Sequence, residues 1–266
     1  MISILGCGWL GLPLATQLLK EGKSVSGSTT SFDKIDLLKR HYIIPFLIDL
    51  RGENFTSKLD AFLKSDILII AIPPRIKAQN DYYDQINKLI PFVEKSTVNK
   101  VIFISSTSVY PNANIEVTEE FQGEPDSASG KVLLTAEKLL QQNAKFDTTI
   151  LRMAGLYGYD RKPGRFLAGK KELKNGDGTV NLIHQDDCIG IISKIIEKGV
   201  WNEVFNCCSD KHPTRKEFYT KAALTLDLEP PEFLDNPLTS HKIISNYKLK
   251  SLLNYQFKHP DPMELV

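Results

Sequence analysis

Three glycines, Gly6, Gly8 and Gly11, stand in the spacing G-x-G-x-x-G, with Cys7, Trp9 and Leu10 between them. A loop of this kind can bind a pyrophosphate. The first glycine permits a tight turn, the second lets the backbone approach the phosphates, and the third lets a following helix pack close to the preceding strand. The helix start adds N–H groups and a partial positive charge. Glycine triplets also arise by chance, so context decides. Apolar Ile2 to Leu5 precedes the loop and the helical run PLATQLLKEG follows it. That strand–loop–helix order favours a dinucleotide site over a plain tight turn.

A dinucleotide unit usually carries an acid at the end of its second strand, where it holds the adenosine ribose hydroxyls. Here that position reads Gly27-Ser28-Thr29-Thr30-Ser31, with Lys34 one turn on. Small hydroxyl donors beside a lysine suit a 2′-phosphate better than an acid would. NADP is therefore favoured over NAD; capping of the next helix is the competing use of these residues.

The elements that must position this loop follow in a regular order. Apolar strands are expected at Ile2 to Leu5, Val25 to Thr29, Ile43 to Ile48, Asp66 to Pro74 (the run DILIIAIPP), Lys100 to Ser105 and Thr148 to Arg152. Helices are expected between them, near Asp33 to Arg40, Phe55 to Lys64, Asn80 to Lys95 and Ser129 to Gln142. In the last of these, Val132, Leu133, Ala136, Leu139 and Leu140 form one apolar face, with Ser127 or Ser129 as cap. Strand and helix alternate, which predicts an α/β fold built on a doubly wound parallel sheet with right-handed crossovers. After Gly158 the pattern weakens, then a helix from Asp186 to Lys198 and a buried strand VFNCC return.

The chain has 266 residues, 42% of them hydrophobic and 24% charged, with a net charge of +1. This balance gives no support to nucleic-acid or membrane-surface binding. Cys7, Cys188, Cys207 and Cys208 show neither C-x-x-C nor Cys/His metal spacing, and no metal site is read. They are expected to be reduced thiols in a cytoplasmic protein. The apolar N-terminal stretch has no basic residue before Lys20, which a secretory signal would need.

Five segments in order, ILGCGWLG, FLIDL, VIFISSTSVYP, LRMAGLYG and NLIHQDDCIGII, resemble the extended short-chain dehydrogenase/reductases, the superfamily of nucleotide-sugar epimerases and dehydratases. The resemblance runs from residue 2 to about 208. It implies a Rossmann-fold cofactor domain at 1–158, to which 180–208 returns, and a small substrate-side region at 159–266. By this resemblance Asp49 and Leu50 contact the adenine, and Ala71, Ile72 and Pro73 run along the cofactor. Ser105 ends the fifth strand beside the nicotinamide, and Ala154 and Gly155 lie near its amide. Ser106 and Tyr110 are the catalytic candidates: the serine helps bind the reacting oxygen and Tyr110 is the tyrosine of the motif. Local backbone bonding is the alternative for Ser106. The lone His184 is read as structural. Arg161, Lys162 and Arg165 open the substrate-side region, where guanidinium forks suit a phosphorylated small molecule; a solvated loop is the alternative. The expected assembly is a monomer or homodimer.

The family's tyrosine and lysine, spaced Tyr-x-x-x-Lys at the start of the helix after the fifth strand, are missing. Aligning on Glu137 and Leu139-Leu140 puts Ser129 and Leu133 at those places, and no tyrosine lies between Tyr110 and Tyr157. The tyrosine is the family's acid/base and the lysine lowers its pKa. Three readings follow: an enzyme with another acid/base (Tyr110, Tyr157, Tyr159, His184 or a substrate group), a dinucleotide-binding sensor or scaffold, or an isomerase or lyase whose cofactor is not the oxidant. The first is favoured.

Overall fold

The computed structural model describes residues 1–52, 56–74, 81–235 and 240–265. The elements run β1 (Ile2–Leu5), α1 (Gly11–Lys20), β2 (Val25–Thr29), α2 (Ile35–Arg40), β3 (Ile44–Leu47), α3 (Thr56–Phe62), β4 (Ile67–Ile70), α4 (Asp81–Lys95) and β5 (Lys100–Ser106). They continue with β6 (Glu116–Val117), α5 (Ala128–Gln141), β7 (Asp147–Met153), β8 (Gly155–Tyr157), α6 (Gly164–Leu167), β9 (Leu182–His184), α7 (Gln185–Lys198) and β10 (Val204–Cys207). The last are α8 (Arg215–Leu224), β11 (Ile243–Ile244) and α9 (Tyr247–Leu253). Phe55 and Asn80, where two helices were expected to begin, lie outside the described residues.

Seven strands form one sheet in the order β10-β7-β5-β4-β1-β2-β3. The pairs β1–β2, β1–β4, β2–β3 and β4–β5 are parallel. The order reverses direction at β1, which is the doubly wound arrangement expected from the alternation of elements. The chemistry of the strands fits their places. β1 is buried at every residue and β4 at its last three, as continuous apolar runs require when helices cover both faces. On β2, a Cβ added at Gly27 would come within 2.5 Å of the Cys7 sulfur and 2.7 Å of Ile43, so only glycine lets these elements meet.

The division by compactness gives two units. One comprises Met1–Val109, Ser127–Leu151 and Ile195–Val204; the other comprises Tyr110–Asp126, Arg152–Lys194 and Phe205–Val266. Residues 110–126, 152–158, 180–194 and 205–208, expected with the cofactor domain, group with the second unit. In the second unit, two small two-stranded sheets, β11-β6 and β8-β9, sit outside the main one. Among the described residues no helix is long and apolar enough to cross a membrane.

Candidate functional site

In the first unit, the C-terminal ends of β1 to β4 border one cleft. Residues 5–8, 28–30, 48–51 and 71–73 line it, with Lys34 and Gln85. The glycines differ in what they do there. Gly6 has φ +105°, and a Cβ on it would stand 2.9 Å from the Ala71 carbonyl oxygen. A Cβ at Gly11 would stand 2.2 Å from the Gly6 carbonyl oxygen, so helix α1 can start this close only without one. At Gly8 a Cβ would meet nothing within 4 Å. The space beside Gly8 is open, at the mouth of a ten-residue helix.

Ser28 anchors the loop to β2. Its Oγ accepts the Gly6 N–H at 2.9 Å and its carbonyl accepts the Cys7 N–H at 2.8 Å. Ser28 is buried, and the hydroxyl of the buried Thr29 accepts the Ser31 N–H. The exposed Thr30 and Lys34 are thus the members of this segment that face solvent at the cleft. At the end of β3, Arg51 grips Asp49 with two bonds, Nε to Oδ1 at 2.8 Å and a terminal nitrogen to Oδ2 at 2.6 Å. This fork neutralises Asp49 and fixes a guanidinium at the cleft. Along the β4 end, the buried Tyr82 donates its hydroxyl to the Ile72 carbonyl at 3.1 Å, which holds the Ile72-Pro73 segment in place. Trp9 and Leu10 occupy the turn into α1, where Leu10 is buried.

At the end of β5, Ser105 donates to the carboxylate of Glu137 on α5, and both side chains are buried. The half-buried Ser106 accepts the Ser108 N–H at 3.1 Å, closing the turn that follows the strand. On α5, Ser127 caps the helix through the Gly130 N–H. Ser129 Oγ lies 3.2 Å from Ser127 Oγ, and Leu133, only 2% exposed, packs into the core. A lysine at that place would meet apolar neighbours.

The second unit holds the remaining candidates. Tyr110 is buried; its hydroxyl accepts from Arg152 at 2.6 Å and donates to Asn206 Oδ1 at 2.8 Å. The guanidinium also lies over the Tyr110 ring at 4.8 Å. Ala154 and Gly155 donate their N–H groups to the Cys207 and Asn181 carbonyls. Tyr157 and His184 pack edge to face, and Tyr159 donates to Asp186 at 2.9 Å. Burial, the largest cause, raises the pKa of Tyr157 and lowers that of His184. For Tyr159 the hydrogen bond to Asp186 is the chief cause of a raised pKa.

The structure therefore brings Gly6, Gly8, Ser28, Thr29, Thr30, Asp49, Leu50, Ala71, Ile72 and Pro73 to one cleft. Sequence reasoning did not single out Arg51 or Gln85. Arg51 could have been suspected, because it directly follows Asp49-Leu50 at a strand end. Gln85 sits on α4, distant in the chain from every motif.

Comparison with known proteins agrees with the fold. The family model described as "NAD dependent epimerase/dehydratase family" matches residues 2–208. Protein YeeZ of Escherichia coli K12 is 36% identical over 268 residues, covering 98% of this chain and 97% of that protein. UDP-glucose 4-epimerase of Thermotoga maritima, solved with UDP-glucose, superposes with a TM-score of 0.82 at 18% identity over 99% of this chain and 96% of its own. UDP-glucuronic acid 4-epimerase of Bacillus cereus, solved with NAD, gives 0.79 at 22% identity over 99% and 96%. The structural likeness is one of fold; the model match over residues 2–208 speaks to ancestry, and by it this chain belongs to the NAD dependent epimerase/dehydratase family.

Proposed function

We propose that the first unit binds one NAD(P), NADP ahead of NAD, and that the protein turns over a nucleotide-sugar or other phosphorylated small molecule without the usual tyrosine–lysine pair. The observation that carries the reading is the open space at Gly8, set between a strand end and the start of α1. A pyrophosphate fits there and a side chain would exclude it. Thr30, Lys34 and Arg51 offer one hydroxyl and two cations at the cleft, which favours a ribose carrying a 2′-phosphate. Membership of the family, and the NAD found with the Bacillus cereus epimerase, support a nicotinamide dinucleotide at this cleft without choosing between NADP and NAD.

When bound, the cofactor supplies a hydride acceptor or donor. The chain's own residues do the rest. Gly6 and Ser28 hold the loop, and the first turn of α1 would receive the phosphates. Arg51 and Lys34 would hold the ribose end, and Ile72 and Pro73 would form a wall beside it. Ser105 is proposed to buttress the nicotinamide side through Glu137, and Ser106 to present a hydroxyl to the substrate oxygen. Ala154 and Gly155 are proposed to meet the nicotinamide amide. Tyr110, engaged at both lone pair and proton, fits a positioning role for Arg152 better than proton transfer. We propose the second unit as the substrate side.

A second reading, dinucleotide binding without turnover, is favoured by one observation: Leu133 is core and Ser129 lies against the Ser127 hydroxyl, so neither place on α5 carries the family's acid/base pair. A panel of nucleotide-sugars with NADP and NAD, followed by nicotinamide absorbance and product chromatography, separates the two. Slow turnover is expected, because losing a general acid/base costs about 10²- to 10⁴-fold. No product on any substrate, with the cofactor bound, would favour the sensor.

A further inference from the structure

Among the described residues, one group of three side chains can offer metal-ligating atoms to a common point: His184, Asp186 and His259, all within 4.8 Å of one another. We propose that these three form a site for one divalent transition-metal ion of the zinc type, with a fourth position open to a cavity of about 420 Å³ in the second unit. None of the three lines the cofactor cleft.

The spacing fits. Bonds of about 2.0–2.1 Å in a tetrahedral zinc site place ligand atoms roughly 3.4 Å apart. His259 Nε2 lies 3.4 Å from Asp186 Oδ2, and His184 Nδ1 lies 3.7 Å from the same oxygen. The two imidazoles are in contact, with ring centroids 4.0 Å apart and planes tilted by 59°. Two imidazoles and one carboxylate, with a place left over, are the donor set of open zinc sites.

The donors are also held from behind, as ligands in metal sites are. Tyr159 donates to both Asp186 oxygens, at 2.9 and 3.1 Å. The fully buried Asp187 accepts the Lys258 N–H at 2.7 Å and the His259 N–H at 3.0 Å, which fixes the C-terminal segment that carries His259. Tyr255 donates to the same carboxylate. The ring of His184 packs against those of Tyr157 and Tyr159, with centroids 5.2 and 5.5 Å away. One bond opposes the site: His184 Nδ1 accepts the Asp186 N–H at 3.2 Å, and coordination through Nδ1 must replace it. Arg161 and Lys162 line the same cavity. They disfavour a bare cation but suit an anionic group on the open position.

The test is titration of chelator-stripped, desalted protein with Zn²⁺ by calorimetry, and with Co²⁺ as a visible-absorbing substitute. One equivalent is expected per chain. Asp186→Asn and His259→Ala should each weaken binding by roughly 10²-fold, and Tyr159→Phe by about 10-fold, since removing an outer partner typically costs 10- to 100-fold. Circular dichroism verifies folding, and His259→Gln replaces His259→Ala if the latter unfolds. Cys208 and His212, 4.0 Å apart, are the control pair, and Cys208→Ser should change nothing. No stoichiometric uptake, binding unaltered in Asp186→Asn and His259→Ala, or binding lost in Cys208→Ser would overturn the proposal.

Discussion

Arg51 is the residue on which cofactor choice should turn. Its fork on Asp49 sets a cation against the carboxylate at the cleft, which stays 40% exposed. Arg51→Ala removes that cation and bares the acid. A charged hydrogen bond is worth about 1.5–3 kcal/mol, so NADP should bind roughly 10- to 100-fold more weakly. NAD should hold or improve; equal losses for both in titration would show that Arg51 does not meet the 2′-phosphate. Tyr110→Phe poses a different question. It leaves Arg152 and Asn206 each short of a partner in a buried place, at a cost of about 1–3 kcal/mol in denaturant unfolding, while cofactor affinity should not change. At this scale the sequence exposed what the backbone demands: Gly6, Gly8 and Gly11 follow from turn and packing geometry. It did not expose ion pairs such as Asp49–Arg51, nor the approach of His259 to Asp186, 73 residues away in the chain, because spacing carries no record of long-range contacts.

Helix α5 shows what periodicity can and cannot reveal. Its apolar face was legible: Leu133, Ala136 and Leu140 are buried, and Ser127 caps it. The buried Glu137 on that face was not legible as core, since its burial depends on Ser105 arriving from β5. The strands β6, β8, β9 and β11, of two or three residues, are too short to show any period. Because Leu133 lies in the core, Ser129→Tyr with Leu133→Lys should not simply rebuild the family's pair. The buried lysine should destabilise the protein by several kcal/mol, read as a lower denaturant midpoint at unchanged slope. Ser129→Tyr alone, at a half-buried site, should fold normally. A stable double variant with fast turnover would mean that the cleft side of α5 is assigned wrongly.

For the molecule as a whole, strand–helix alternation was enough to predict the doubly wound sheet, because buried parallel strands read as unbroken apolar runs. The division into units was harder to foresee, since residues 110–126 and 152–194 join the second unit through contacts that no local pattern encodes. Stability should also depend on pH. Burial, the largest cause, holds His212 below its usual 6.5. The folded state therefore prefers the neutral ring. As pH falls below about 6.5 the unfolded chain takes up the proton first, so stability is complete above that pH and declines on acidification. His212→Gln should flatten this slope between pH 7 and 5, as measured by denaturant unfolding.

The most direct measurement of the central claim is calorimetric titration of the protein and of Gly8→Val with NADPH and NADH. A valine at Gly8 has room in the fold, since nothing lies within 4 Å of its Cβ, so the variant should melt like its parent. The expected result is one NADPH per chain, bound more tightly than NADH, with both lost in Gly8→Val. Binding of either cofactor that survives unchanged in a folded Gly8→Val would contradict the assignment of the cleft.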